Sequence, residues 1–538
     1  MRTGGEILVE LLIQYGVTHI FGVPGNQLTP VYKALAKHRE AIAHILARHE
    51  GGAGLMAEGY AKASGKPGVC LVSPGPGAAN AYTAVLEAFT SCTPLLLITV
   101  QNNDHEQGYS ARRLFHGLDH AEAFASVTKQ TIVVSELEAL PSAVFEAFHR
   151  IRNQTPGPVL IEIKEEILGQ STVGLESPEE DVLSLQSAGS ERDEEALERA
   201  VALIKAAKRP AILAGKGVGD EEAGDLVTQL AEKIQAPIIT TILSKGVVSE
   251  FHPHAAGLIN SNYGKGIIEQ ADLLISIAPL YNQVDMRHWQ ISLPEKSIQI
   301  EKDPMELGQV YSSTTAILGG IADILGELLL RLDKSEFTPD PWDVQQLLEN
   351  KPVYDGQHND FSAAIIDALN GSAGPELILV NDVHVEGYPL HYDYRVHERY
   401  GYIHSPISVG IGYALPAAIG AKFAHPDKKV IVFCGDGGFL LSSPEFSTLM
   451  RYRLNIVVVI VNDHAYGTIR RRQERDCWDF TCADLANPDF RRFAGAYRCA
   501  AVTVEEVERF AEVLSEAVQR EDGPFLIELV KKGGSASA

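Results

Sequence analysis

Residues Lys429 to Arg472 read KVIVFCGDGGFLLSSPEFSTLMRYRLNIVVVIVNDHAYGTIRRR. The run Val430-Ile431-Val432-Phe433-Cys434 has no polar alternation, the pattern of a strand buried on both faces. It stops at Gly435-Asp436-Gly437-Gly438, where one carboxylate is the only sizeable side chain. A helical segment follows, with Phe446, Leu449 and Met450 on one side, and a second buried strand, Ile456 to Val461, ends at Asn462-Asp463. This strand–loop–helix–strand unit predicts a parallel sheet with its ligand at the rim where the strands stop. Glycines admit phosphate oxygens to backbone N–H groups, and the helix start adds its positive end. Asp436 and Asn462 are hard oxygen donors. With a backbone carbonyl, two phosphate oxygens and a water they complete an octahedron for Mg²⁺. A plain Gly-rich turn with a surface Asp would show the same tripeptide, so the surroundings decide.

Gly435-Asp436-Gly437, then residues 438 to 461, then Asn462 at a strand end resembles the signature of thiamine-diphosphate enzymes. The likeness to the acetolactate synthase and 2-oxo acid decarboxylase group runs over roughly residues 1 to 530. It implies an α/β fold of three doubly wound parallel-sheet domains: pyrimidine-binding, central and diphosphate-binding. It implies thiamine diphosphate and Mg²⁺ as cofactors, with Asp436, the Asn462 side chain and the His464 backbone carbonyl as metal ligands.

The chain order agrees. Residues 1–170 alternate helices with apolar strands (Gly68 to Ser73, Leu95 to Val100, Val159 to Ile163), the pattern of a doubly wound sheet. Residues 171 to 190 are Ser- and Glu-rich without periodicity and read as a linker. A central unit, 190–335, carries strands Pro210 to Ala214, Ile238 to Ile242, Leu273 to Ile277 and Ser297 to Ile300. A loose stretch, Lys334 to Val353, leads to a third unit, 355–531, ending on Phe525 to Val530, with a tail at 532–538. The outer units echo one another in pattern, as the paired domains of the family do.

Composition bounds the partners. The 538 residues exceed one core, and 45% hydrophobic with 22% charged residues is ordinary for a globular protein. A formal charge of −24 argues against nucleic acid and anionic membranes. The N-terminus lacks a signal-peptide apolar stretch and the length of a membrane span. The six cysteines are scattered, as free thiols in a reducing cytoplasm would be. Cys477 and Cys482 make half a metal site that no second pair completes.

Glu50, in Arg48-His49-Glu50-Gly51-Gly52-Ala53, stands where a strand passes into a small-residue helix start. It reads as a helix-capping acid or as the family's activating carboxylate. The second reading follows the resemblance, which extends through GYAKASGKPGVCLV. It implies a carboxylate bonded to pyrimidine N1′, favouring the tautomer whose 4′-imino group removes the C2 proton. Ile411, in SVGIGYALPAA, implies the bulky side chain beneath the bent cofactor, with the Val409 carbonyl and Ile411 amide at the pyrimidine's edge. His116, in LFHGLDH, implies a donor to the bound substrate. Further cofactor contacts are implied from Pro24, Gly25, Asn26, Ser73, Gly77 and Asn80, and from His384, Val385, Gly435, Gly437, Gly438, Tyr466 and Gly467. In the family, residues of the first and third units meet across a subunit interface, so a homodimer or homotetramer is expected.

The resemblance implies decarboxylation of a 2-oxo acid through a C2-carbanion and enamine. Protonation then gives an aldehyde, and capture by an aldehyde or second 2-oxo acid gives a carboligation product. Three departures turn the expectation from acetolactate synthase, which stays the alternative beside an acyloin or aldehyde lyase. Gly467-Thr468-Ile469-Arg470-Arg471-Arg472 lacks the tryptophan that narrows the synthase pocket. Leu280-Tyr281-Asn282-Gln283-Val284-Asp285 lacks the Asp-Arg pair, and Asp382-Val383-His384 replaces Gly-Gln-His. The stretch around His116 instead resembles decarboxylases of polar, amino-acid-derived 2-oxo acids. The three arginines suit an acidic substrate or a surface cluster. Gly215-Lys216-Gly217-Val218-Gly219 raises a rival class, a nicotinamide- or flavin-dependent oxidoreductase, but lacks a clean acidic strand end about 20 residues on. FAD is found in the central unit of some relatives and is not expected here.

Overall fold

A computed structural model describes residues 1–101, 109–173, 193–333, 359–477 and 482–532, with positions 347, 349 and 352. It contains three six-stranded sheets, all parallel. Long apolar runs form strands because a parallel sheet covered on both faces exposes neither side to water. Pro210–Ala214, Leu273–Ile277 and Phe525–Val530 have the bounds expected from sequence. The strand at Ile238 stops earlier, at Thr240, and a short turn covers Ile242–Ser244.

Strand order separates the units. In the first, space places Ala43–Leu46, His19–Gly22, Gly68–Leu71, Leu95–Gln101, Val159–Lys164 and Gln130–Val134 side by side. In the third the order is Tyr402–His404, Leu377–Asn381, Lys429–Gly435, Ile456–Asn462, Phe525–Val530 and Ala500–Val504. Counted within each unit, both orders are 2-1-3-4-6-5, so the sequence echo is a topological repeat. The central sheet is 3-2-1-4-5-6, the order of dinucleotide-binding folds.

Two local readings change. Ser171–Thr172 pairs antiparallel with Arg2–Thr3, so the segment after residue 170 opens as a strand closing the first unit. The helix after the Gly-Asp-Gly turn is two pieces, Asp436–Ser442 and Phe446–Arg451, joined by a tight turn at Ser443–Glu445 that contains Pro444. The remaining linker, the tail beyond 532 and most of 334–353 lie outside the described residues.

One buried apolar cluster runs through both outer units, from Phe21 and Leu97 to Val432 and Leu526. At its centre helix Glu50–Ser64 crosses helix Ala414–Ala424. A Cβ on Gly59 would lie 2.2 Å from the Ala417 carbonyl oxygen, and one on Gly420 would lie 1.9 Å from that of Met56. Glycine is required at both crossings because backbone meets backbone.

Candidate cofactor site

Ligands of open α/β sheets bind where the strand order reverses. In the third unit that point lies between Leu377–Asn381 and Lys429–Gly435, whose ends carry Asp382–Val385 and Gly435–Gly438. A Cβ on Gly435 would lie 3.0 Å from that of His384, and one on Gly437 would lie 2.7 Å from the Tyr466 ring. Gly467 approaches Val385 and Asp463 as closely. The predicted residues of this unit therefore share one rim.

Asp436 and Asn462 end neighbouring strands, paired through Gly435 and Val461. The Asn487 amide donates to both, at 2.6 Å to Asp436 Oδ2 and 2.9 Å to Asn462 Oδ1. Two oxygens thus face one electropositive group. Burial pushes the Asp436 carboxyl up, so it favours a nearby cation. Asn462 is aimed by Glu528, which accepts from its Nδ2 at 2.8 Å and from Thr503 Oγ1 at 2.9 Å. The His464 carbonyl accepts from Leu485 N–H at 2.8 Å, so one lone pair is already used. His464 and Val409 both have left-handed backbones, φ 54°. For a β-branched residue this conformation is an outlier costing about 1–3 kcal/mol, strain that clusters at functional sites.

Asp382 holds the Val409 loop. Its buried carboxylate accepts from Val383 N–H at 2.7 Å and from Gly412 and Ala414 N–H at 3.0 Å each. It anchors the start of helix Ala414–Ala424, satisfying donors a helix N-terminus leaves open. Val409 and Ile411 are 36% and 38% exposed, high for apolar residues in a glycine-rich loop.

The first unit repeats the arrangement. Its order reverses between His19–Gly22 and Gly68–Leu71. The turn Pro24-Gly25-Asn26 and Ser73 meet there; a Cβ on Gly25 would lie 1.8 Å from Ser73 Oγ. Glu50 opens its helix, but His49 caps it: His49 Nδ1 accepts from Gly51 N–H at 3.0 Å. Glu50 Oε2 instead accepts from Asn80 Nδ2 at 2.9 Å, with Gly77 beside it. The backbone just before Glu50 is held by the third unit: Glu445 accepts from Arg48 and His49 N–H at 3.0–3.2 Å. His116 has φ 55°, bonds Gln27 through Nδ1 at 3.2 Å and stacks on Phe115. Behind it, His120 Nε2 accepts from Gly75 N–H at 2.9 Å. Its proton is therefore on Nδ1, which donates to Glu162 at 2.6 Å.

Sequence reasoning read Asp382 only as a departure from Gly-Gln-His, and missed Glu445, Asn487 and Glu528. A signal existed for the last: Glu528 interrupts an apolar strand, as Glu162 does in Val159–Lys164, and a buried carboxylate needs a partner. The arginines 470–472 pair with Asp463, Glu386 and Asp476 respectively.

The central switch point differs. A Cβ on Gly215 would lie 1.9 Å from the Ala278 carbonyl oxygen, and one on Gly217 would lie 2.5 Å from Ala278 Cβ. These glycines admit the neighbouring strand-end loop, an account of the motif that needs no dinucleotide.

Residues 2–124, 197–328 and 387–529 match the thiamine pyrophosphate enzyme N-terminal TPP binding, central and C-terminal TPP binding domains. The chain is 31% identical to the acetolactate synthase large subunit of Lactococcus lactis, over 98% of this chain and 92% of the relative. It is 31% identical to the acetolactate synthase isozyme 1 large subunit of Escherichia coli, over 88% and 83%. It is 30% identical to a probable 2-ketoarginine decarboxylase of Pseudomonas aeruginosa, over 98% and 94%. With domain matches on all three sheets and near-complete coverage of such relatives, this chain belongs to the thiamine pyrophosphate enzyme family.

Proposed function

We propose that the chain is a thiamine-diphosphate- and Mg²⁺-dependent decarboxylase or carboligase of 2-oxo acids. The observation carrying this is the convergence of Asp436 and Asn462 oxygens on one amide group at a sheet switch point. A carboxylate, an amide oxygen and a carbonyl form the oxygen set Mg²⁺ takes. Among the described residues no three His, Cys, Asp or Glu side chains make a competing metal cluster. The residues fit the cofactor: Gly435 packs against His384, whose Nε2 is buried without a partner.

Asp436, Asn462 and the free lone pair of the His464 carbonyl would hold the cation, and the glycine loop the diphosphate. The Val409 carbonyl and Ile411 amide would seat the pyrimidine, and Glu50 would hold a proton at its N1′. When bound, the cofactor supplies a carbon nucleophile and an electron sink for loss of CO₂. His116, steadied by Gln27, donates to the substrate, while Ile411, Leu441 and Ile469 keep the rim apolar. A polar, amino-acid-derived 2-oxo acid is favoured by the His116 stretch and by the relative named for 2-ketoarginine. An acidic substrate loses its support, because each arginine at 470–472 has a carboxylate partner.

The test is CO₂ release from pyruvate and from 2-oxo acids with cationic, neutral polar and acidic chains, with and without aldehyde acceptors. Turnover of at least one acid is expected, lost on chelation and dialysis and restored by Mg²⁺ with thiamine diphosphate. No turnover of any acid, or full activity after exhaustive chelation, would refute the reading.

The active form is a homodimer or homotetramer. Glu50 is bonded to Asn80 of its own unit, while Ile411, Leu441 and Ile469 stand 38%, 57% and 51% exposed near the other half-site. Sedimentation at assay concentration should show no active monomer. All six cysteines are free thiols, which suits a reducing cytoplasm. No helix among the described residues is long and apolar enough to cross a membrane.

A further inference from the structure

Glu87 lies in the last turn of helix Pro76–Thr90 of the first unit and is 2% exposed. Its carboxylate reaches into the third. Oε2 accepts from Ser405 Oγ at 2.6 Å and from Ser408 Oγ, both on the loop leading to Val409 and Ile411. Oε1 lies 3.3 Å from Lys62 Nζ. Lys62 also bonds Glu58 at 2.6 Å and donates to the His404 carbonyl at 2.8 Å. Tyr413, at the far end of the loop, donates to Glu58 Oε2 at 2.6 Å. Ser405 Oγ in turn accepts from Gly410 N–H at 3.1 Å. Two carboxylates and one ammonium thus grip the loop at residues 404, 405, 408 and 413.

Such a network is costly to bury, and apolar packing would stabilise a helix crossing at least as well. It lies behind a β-branched residue held at φ 54°, a conformation that persists only where the surroundings impose it. Ser408 directly precedes that residue.

We propose that Glu87, braced by Lys62, is a positioning residue that holds Val409 in its left-handed conformation through Ser405 and Ser408. The inference rests on the reading of Val409 and Ile411 as the pyrimidine seat. Glu87 itself touches neither cofactor nor substrate.

The experiment titrates thiamine diphosphate with Mg²⁺ into the cofactor-free full chain by calorimetry. Wild type, Ser408→Ala, Glu87→Gln and the double variant Ser408→Ala with Val409→Gly are compared, beside melting of the cofactor-free proteins. Losing one hydrogen bond to a buried charge should weaken cofactor binding about tenfold in each single variant. The melting midpoint of Ser408→Ala should move by no more than about 2 °C, since one hydrogen bond is small against the unfolding enthalpy of a chain this long. Glycine takes positive φ freely, so the double variant should recover most of the lost affinity. Unchanged affinity in the single variants overturns the proposal, as does a loss that Val409→Gly does not recover. Should Glu87→Gln fail to fold, Ser408→Ala and its rescue decide alone. No binding in wild type would instead overturn the cofactor reading beneath it.

Discussion

Asp436→Ala should leave a folded chain that no longer retains Mg²⁺ or thiamine diphosphate. Asp436 is the one charge among the three expected ligands, beside an amide and a carbonyl oxygen. It is 1% exposed, so no water replaces it cheaply. Truncating one partner of a buried charge contact costs roughly 2–5 kcal/mol, which is about 30- to 5,000-fold in affinity. Folding should not suffer in parallel. Burial raises the Asp436 carboxyl pKa, so without a cation the charge is a burden the fold already carries. The cofactor-free variant should melt at or above the wild-type temperature. Calorimetric titration of metal and cofactor, with melting of the cofactor-free protein, checks both halves. Wild-type retention would remove Asp436 from the cation site.

Glu50→Gln should separate binding from turnover. Sequence alone left two roles open, a helix cap or an activating carboxylate. The structure assigns the cap to His49 and leaves Glu50 bonded to the Asn80 amide at the rim. The substitution is isosteric, and Glu50 bonds Asn80 rather than the diphosphate loop, so cofactor affinity should fall little. A helix-start acid contributes about 0.3–1 kcal/mol, so melting should shift only slightly. Turnover should fall about 10²- to 10⁴-fold, the range of a positioned acid–base group. The amide cannot stabilise a proton at pyrimidine N1′. Exchange of the cofactor C2 proton for deuterium in the assembled variant reads that function directly, and wild-type exchange would overturn the role.

Where a property depends on neighbours in sequence, it was legible there. Pro210–Ala214, Leu273–Ile277 and Phe525–Val530 could be bounded because a strand buried on both faces is apolar at nearly every position. The Gly-Asp-Gly turn and Asn462 were visible as hard donors and glycines at strand ends, and the Arg48-His49-Glu50 start through its resemblance to the family. The echo between outer units was visible as pattern. What only the tertiary structure decided were pairings between distant segments. The order 2-1-3-4-6-5 placed His384 against Gly435 and Gly25 against Ser73, while 3-2-1-4-5-6 brought Ala278 onto Gly215. Asp382 reaches Ala414, Glu445 reaches His49, and Glu87 reaches Ser408 across contacts no local pattern encodes. A buried carboxylate announces that it needs partners, but which backbone or hydroxyl groups answer depends on how sheets and helices pack. The left-handed backbone of Val409 is of the same kind: nothing in valine asks for it, and the surrounding hydrogen bonds impose it.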